Sequence, residues 1–338
     1  MNEISEDHHK WVAAQCARLE KIFVKTRTYS QFKTQFQELL YKRRAEAQAD
    51  LDTETEGILL AGAPGGGKTW LLKNVVKSLP DIRRNTADRQ LDIILVRVPG
   101  TTTVMEIGQR ILEDVGYGKR KSGKSDEVWE VVAKQLRKRE IKFVCLDECQ
   151  DLIFNQNGRE IRLALSAMKS LMNNLTWPVN VVMTGTHELV ELVNLDNQLV
   201  RRVEPIEIPK VSFATEGGGV PMVLEHLAGV VSLGSSEEVQ TSDFVMRLFH
   251  AAAYEQGLVF EFVKKAIRVC LYRRDTHLTV AHFAAYYGKR NGAPDGLNPF
   301  LAPKFDDLDV QRLLPALGPD AHGTTIQRAV SRWKKVGK

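Results

Sequence analysis

The sequence predicts an α/β fold: a parallel sheet of five strands covered by helices, preceded by one helical segment and followed by another. Three observations predict it. Between residues 53 and 210 short continuous apolar runs alternate with stretches of helical period, a glycine-rich stretch joins the first such run to a helix, and no strand pattern intrudes after Pro209. Alternating strands and helices imply right-handed crossovers and a sheet covered on both faces, which places a ligand at the carboxyl ends of the strands. Composition agrees: 338 residues at 43% hydrophobic can bury a core without a disulfide or metal staple, which excludes a disordered chain.

Taken in order, residues 1–52 read as helical, because Trp11, Ala14, Cys16 and Leu19, then Phe32, Phe36, Leu39 and Leu40, recur at three- and four-residue steps. Residues 58–61 form a buried parallel strand closed by Gly62, and 70–79 a helix stopped by Pro80. A second strand over 91–98 leads to helices over 104–115 and 128–139, and a third over 143–146 to a helix over 160–175. The fourth strand spans 179–183, followed by a short helix over 187–193, and the fifth spans 204–208. From 211 to 289 a loop with Gly217, Gly218, Gly219 and Pro221 precedes helices over 242–255, 259–272 and 280–287. Residues 290–338 read as a Pro-rich, basic tail, because Pro294, Pro299, Pro303, Pro315 and Pro319 forbid long elements.

The N-terminus lacks the charged-then-apolar pattern of a signal peptide, and eighteen apolar residues nowhere run together, so a soluble, cytoplasmic protein with no membrane partner is expected. Cys16, Cys145, Cys149 and Cys270 form no CxxC pair with matching histidines, and His8, His9 and His187 find no third ligand at suitable spacing. No zinc or disulfide role is assigned.

Gly62-Ala63-Pro64-Gly65-Gly66-Gly67-Lys68-Thr69 satisfies GxxxxGK[ST] between a strand and a helix, the context in which that pattern has a mechanism. Glycines let successive N–H groups curl round phosphates, Lys68 reaches the β- and γ-phosphates, and the Thr69 hydroxyl ligates Mg²⁺; Trp70, next in the helix, is counted with them. The third strand ends in Asp147 and Glu148: the first suits the Mg²⁺ shell, the second a water poised for attack on the γ-phosphate of ATP. Thr186, with Thr184 as the alternative, would orient the same water from the end of the fourth strand, unless the pair is a plain Thr-rich turn. Arg201 and Arg202 precede the fifth strand, away from their own phosphates. They either face the nucleotide of a neighbouring subunit or pair on the surface with Glu204 or Glu207.

The P-loop, the Asp147-Glu148 pair, the Thr-bearing fourth strand, the arginine pair and the trailing helical lid, in this order, resemble an AAA+ ATPase. Within that superfamily Asp147-Glu148-Cys149-Gln150-Asp151-Leu152, Thr184-Gly185-Thr186 and Arg201-Arg202 are similar to the TniB/TnsC transposition regulators, a likeness spanning residues 57–288. The resemblance implies an AAA+ P-loop NTPase with a small helical lid, using ATP and Mg²⁺. It also implies a homo-oligomer, ring or helical filament, that assembles on double-stranded DNA, receives a target-selector protein of TniQ type and activates a transposase. One departure stands out: Gly257 at the start of a lid helix is followed by Leu258, Val259, Phe260, Glu261 and Phe262, so the lid arginine of many AAA+ proteins has no counterpart there.

Between two helices of the core, Gly118-Lys119-Arg120-Lys121-Ser122-Gly123-Lys124-Ser125 carries four bases and no acid. Such a loop can follow a phosphate backbone without reading bases, and the resemblance implies that Lys119, Arg120, Lys121 and Lys124 track DNA. The basic end of the tail offers a second, weaker candidate. Two rival functions remain: a non-hydrolysing nucleotide-gated scaffold, and a monomeric P-loop kinase, which would need an arginine-bearing lid in cis.

Overall fold

The computed structural model describes residues 5–51, 53–79, 82, 92–98, 100, 103–118, 124–154 and 158–311. In chain order the first elements are α1 (Glu6–Glu20), α2 (Arg27–Gln48), β1 (Gly57–Ala61), α3 (Lys68–Ser78), β2 (Ile93–Arg97), α4 (Val104–Asp114), α5 (Ser125–Lys138) and β3 (Phe143–Asp147). Next come α6 (Asp151–Phe154), α7 (Gly158–Met172), β4 (Asn180–Gly185), α8 (His187–Asn194), α9 (Asn197–Val200) and β5 (Val203–Glu207). The remainder holds α10 (Phe213–Glu216), α11 (Val220–Val230), β6 (Gly234–Ser235), α12 (Ser242–Ala251), α13 (Gln256–Arg273), β7 (His277–Leu278) and α14 (Val280–Asn291). The chain forms two compact units, one of residues Lys25–Pro209 and one of Met1–Val24 with Lys210–Lys338.

In the first unit five parallel strands lie in the order β2-β3-β4-β1-β5. Every residue of β1, β3 and β4 is buried, as continuous aliphatic runs demand when helices cover both faces. β1 sits between β4 and β5 so closely that a Cβ on Gly57 would meet the Val181 carbonyl oxygen at 2.6 Å. α4 is fixed at its start by a capping box between Thr103 and Glu106. α2 packs its aromatic stripe on the sheet, Phe36 stacking on Phe143 with ring centroids 4.5 Å apart.

The second unit gathers the buried rings of Phe244, Phe249, Phe262, Phe283, Tyr287 and Phe300, with Val12 and Leu19 of α1 in the same cluster. The segment expected over 1–52 is thus divided: α1 joins the C-terminal helices, and α2 the sheet. Two further expectations are corrected. The region after Pro209 is not wholly helical, since β6 and β7 form a parallel pair of two residues each, too short to leave a period in the sequence. The stretch expected as a loop around Pro221 instead holds α10, a 3₁₀ turn over Gly217–Gly219, and α11, because proline is tolerated in the first turn, where its missing N–H costs nothing.

The expected tail also begins inside the packed unit. Phe300 is buried, Asn298 Nδ2 donates to the Ala284 carbonyl at 2.9 Å, and Arg247 donates to the Pro299 and Ala302 carbonyls at 2.8 and 2.7 Å. The basic residues of 328–338 lie outside the described residues. Among the described residues, no helix is long and apolar enough to cross a membrane.

Candidate nucleotide site

The site forms where β1, β3 and β4 end. Backbone pairing continues past the strands and ties their ends together: Gly62 N–H donates to the Gly185 carbonyl at 3.2 Å, and Cys149 N–H to that of Thr184 at 2.8 Å. From Ala61 the chain turns through the glycine loop into α3. Gly65 and Gly67 adopt φ of 82° and 95°, a left-handed backbone that side chains with a Cβ rarely enter. α3 then opens at Lys68, so its first N–H groups, which have no acceptor earlier in the helix, face the loop. Trp70 lies in this first turn, exposed.

Lys68 is nearly buried, and its Nζ donates to the carbonyls of Gly62 and Ala63 at 2.8 and 2.9 Å. Asp147, also buried, accepts from the Thr69 hydroxyl at 2.7 Å on one carboxylate oxygen and from the Thr184 hydroxyl on the other. The register that pairs Leu146 with Met183 brings Asp147 beside Thr184. Of the two threonines weighed for the end of β4, Thr184 is therefore the one that reaches the carboxylate. Thr186 caps α8 instead. Its buried hydroxyl has no partner of good hydrogen-bond geometry, yet it stands close enough to Glu188 to be the leading cause holding that carboxyl below its usual range, with Lys68 a lesser contributor.

Glu148 follows the strand with φ of 63°. Its carboxylate accepts from Gln150 Nε2 at 2.5 Å, while Gln150 Oε1 accepts the Thr186 N–H at 3.3 Å. Gln150 is buried, and a Cβ on Gly185 would meet its Oε1 at 2.9 Å, so the glycine makes room for the link. Asp151 is raised above the usual carboxylate range by burial and then by Glu148, against the pull of Arg97. Burial pushes the Cys145 and Cys149 thiols far upward, which leaves them unreactive core groups.

Sequence reasoning on chemistry found Lys68, Thr69, Asp147 and Glu148 but gave no role to Gln150 or Glu188. The local signal for Glu188 was its place beside the Thr-bearing strand end, and for Gln150 the two-residue step from Glu148.

Arg201 and Arg202 are not in this site. They lie where β5 begins, at the opposite edge of the sheet: the Arg202 carbonyl accepts the N–H of Gly57, first residue of β1, at 2.8 Å. Their surroundings differ. Arg202 pairs with Glu54 at 2.6 Å rather than with Glu204 or Glu207, whereas Arg201 is exposed and unpaired among the described residues. Of the basic loop, Lys124 is exposed and precedes α5, while Lys119, Arg120 and Lys121 lie outside the described residues.

The residues fit ATP with Mg²⁺. The loop backbone is glycine-dependent and stands at a helix start, and Thr69 with Asp147 supplies hard oxygen donors side by side. Among the described residues no group of three or more His, Cys, Asp or Glu could hold a metal ion. This sheet, loop and carboxylate arrangement defines an AAA+ P-loop NTPase.

Solved structures of that fold match most of the chain. ORC1 of Aeropyrum pernix, solved in complex with DNA, is 18% identical with a TM-score of 0.57 over 82% of this chain and 69% of its own. Cdc6p of Pyrobaculum aerophilum is 17% identical with a TM-score of 0.53 over 81% and 70%. Drosophila ORC bound to DNA is 13% identical with a TM-score of 0.54 over 88% and 70%. No curated protein matches. The family model described as Bacterial TniB protein matches residues 22–213, and the chain belongs to that TniB family, of TniB/TnsC-type AAA+ ATPases.

Proposed function

We propose that this protein is an Mg²⁺-dependent ATPase that oligomerises on double-stranded DNA and regulates transposition. The observation that carries the reading is the Asp147 carboxylate clasped between Thr69 of the glycine loop and Thr184 of β4, with Glu148 next in the chain held by Gln150. Lys68, which here rests on two loop carbonyls, would hold phosphate oxygens of ATP, and Thr69 and Asp147 would hold Mg²⁺. The ion held there would supply positive charge to offset that of the phosphates. Glu148 orients the attacking water and accepts its proton, and Gln150 holds that carboxylate in register with the end of β4.

The arginine that completes the site comes from an adjoining copy. Arg201 lies beyond the start of β5, whose four residue steps alone separate it by at least about 13 Å from its own loop end of the sheet, and it is exposed and unpaired among the described residues, which suits a neighbour's phosphates. DNA as the platform is supported by TniB membership, by the DNA-bound ORC relatives in fold, and by the four bases of residues 119–124. The transposase and a TniQ-type target selector are the partners that membership suggests.

The test is electron microscopy and phosphate release with duplex DNA. Wild type forms assemblies with a slowly hydrolysed ATP analogue and loses them as ATP is consumed. Glu148→Gln binds ATP, releases about 10²- to 10⁴-fold less phosphate and leaves assemblies that persist. Normal hydrolysis by Glu148→Gln overturns the catalytic assignment, and absence of phosphate release from wild type under every condition favours the scaffold.

A further inference from the structure

Within the helical unit, α13 and α14 border a cleft of about 780 Å³ that the nucleotide site does not use, with His9 of α1 at its rim. Five cations line it, Lys265, Arg268 and Arg273 from α13 and Lys289 and Arg290 from α14, and among the described residues no carboxylate does. Among the described residues none of the five is ion-paired, and all except half-buried Lys265 are exposed. Glu261 of α13, outside that lining, accepts the Tyr286 hydroxyl at 3.2 Å.

Two guanidiniums are set in place by aromatic faces: Arg268 lies 5.8 Å from the Tyr272 ring centroid and Arg290 5.1 Å from that of Phe262. Stacking leaves the N–H edge of a guanidinium free to fork onto an anion. Five like charges along one concavity, none with an ion-pair partner among the described residues, are costly unless an anion answers them. Lys264, one residue from this row, is by contrast neutralised by Glu20 at 3.1 Å.

Charge density selects the anion. Lys265 and Arg273 are eight residues apart, about 12 Å along the helix. Over that length an extended acidic peptide turns roughly two carboxylates to one side, because alternate residues point away. One strand of a duplex carries a charge on every unit, one per ~3.4 Å of axis, on a backbone that winds past the cleft so that about two or three phosphates meet it at once, each able to answer cations of both rows. Five cations in two rows match a polyanion in which no unit is uncharged.

We infer that the α13–α14 cleft is a second DNA contact, in which Arg268, Arg273, Lys289 and Arg290 grip the phosphates of one strand without reading bases. The inference rests on the reading that this protein assembles on duplex DNA. Its contact lies on the helical unit, separate in sequence from the basic loop of residues 119–124.

The test is duplex binding by the full chain, with the slowly hydrolysed ATP analogue, followed by fluorescence anisotropy across a salt series. Arg268→Gln with Lys289→Gln should weaken binding roughly 10- to 100-fold at 0.1 M salt and reduce the salt slope by about 1.8 per protomer, 0.9 for each phosphate released. Arg268→Lys with Lys289→Arg should retain the slope, and thermal melts should match wild type because both side chains are exposed. An unchanged slope in the glutamine variant, with wild type binding normally, overturns this contact and leaves the functional reading standing. If wild type fails to bind duplex even at 50 mM salt, both fall. Labelled poly-glutamate bound by wild type and lost from the variant, with duplex binding unaffected, assigns the cleft to an acidic protein segment and overturns the DNA contact.

Discussion

The two ends of the parallel sheet both carry charged side chains, and they treat them in opposite ways. At the end where β1 and β5 begin, charges are matched to one another: buried Asp92 accepts from Arg44 at 2.7 Å and from Lys142 at 3.1 Å, and Arg202 meets Glu54. Of the charges named at this end, Arg43 alone is met by neutral groups: lowered by burial, it donates to the Pro178 carbonyl and stacks 4.9 Å from the centre of Trp177, which closes it off in the core. At the end where β1, β3 and β4 finish, the hydrogen bonds come from neutral groups: Lys68 rests on carbonyls, Asp147 on two hydroxyls, Glu148 on an amide. Charges answered by opposite charges hold the fold. Those answered by exchangeable neutral groups stand ready for a ligand.

The arginine pair allows the sharpest break of this contrast, because the neighbours differ in partner. Arg201→Ala should lower kcat of the DNA-bound oligomer by about 10³-fold or more while ATP binding persists. Arg202→Ala should instead cost about 1 kcal/mol or less of stability, as a partly exposed pair does, with its orphaned partner Glu54 largely in water. Equal losses of turnover for both would erase the distinction. Next in size, Asp92→Ala leaves two cations without their shared buried carboxylate and should destabilise the sheet unit by about 3–5 kcal/mol, read by denaturant unfolding, while any protein still folded binds ATP normally. A smaller loss of turnover is expected of Gln150→Ala. Freed from Nε2, Glu148 should lose roughly 10- to 100-fold in turnover with the Kd for ATP unchanged, because a hydrogen bond to a charged group is worth about 1.5–3 kcal/mol.

Much of this was legible in the residues, for reasons that differ between elements. The core strands announced themselves because parallel strands buried on both faces are written as unbroken apolar runs, as in Ile58–Leu60 or Phe143–Leu146. The glycine loop was legible because positive φ at Gly65 and Gly67 demands that residue type. The partner of Asp147 was not, since whether Thr184 or Thr186 reaches it depends on strand register and on which residue caps α8. Nor was the attachment of α1 to helices more than two hundred residues away, because amphipathic periodicity states that a face is buried and leaves its partner unnamed. α11 was hidden by Gly217–Gly219 and Pro221, residues that mark loops elsewhere and here mark a helix start.

Calorimetric titration of ATP with Mg²⁺ into the full chain, beside Lys68→Ala, bears most directly on the central claim. The account predicts one nucleotide per protomer for wild type and affinity at least 100-fold weaker for the variant, the loss expected when a buried phosphate-binding charge is removed. Equal binding by the two proteins, or none by wild type, would contradict it.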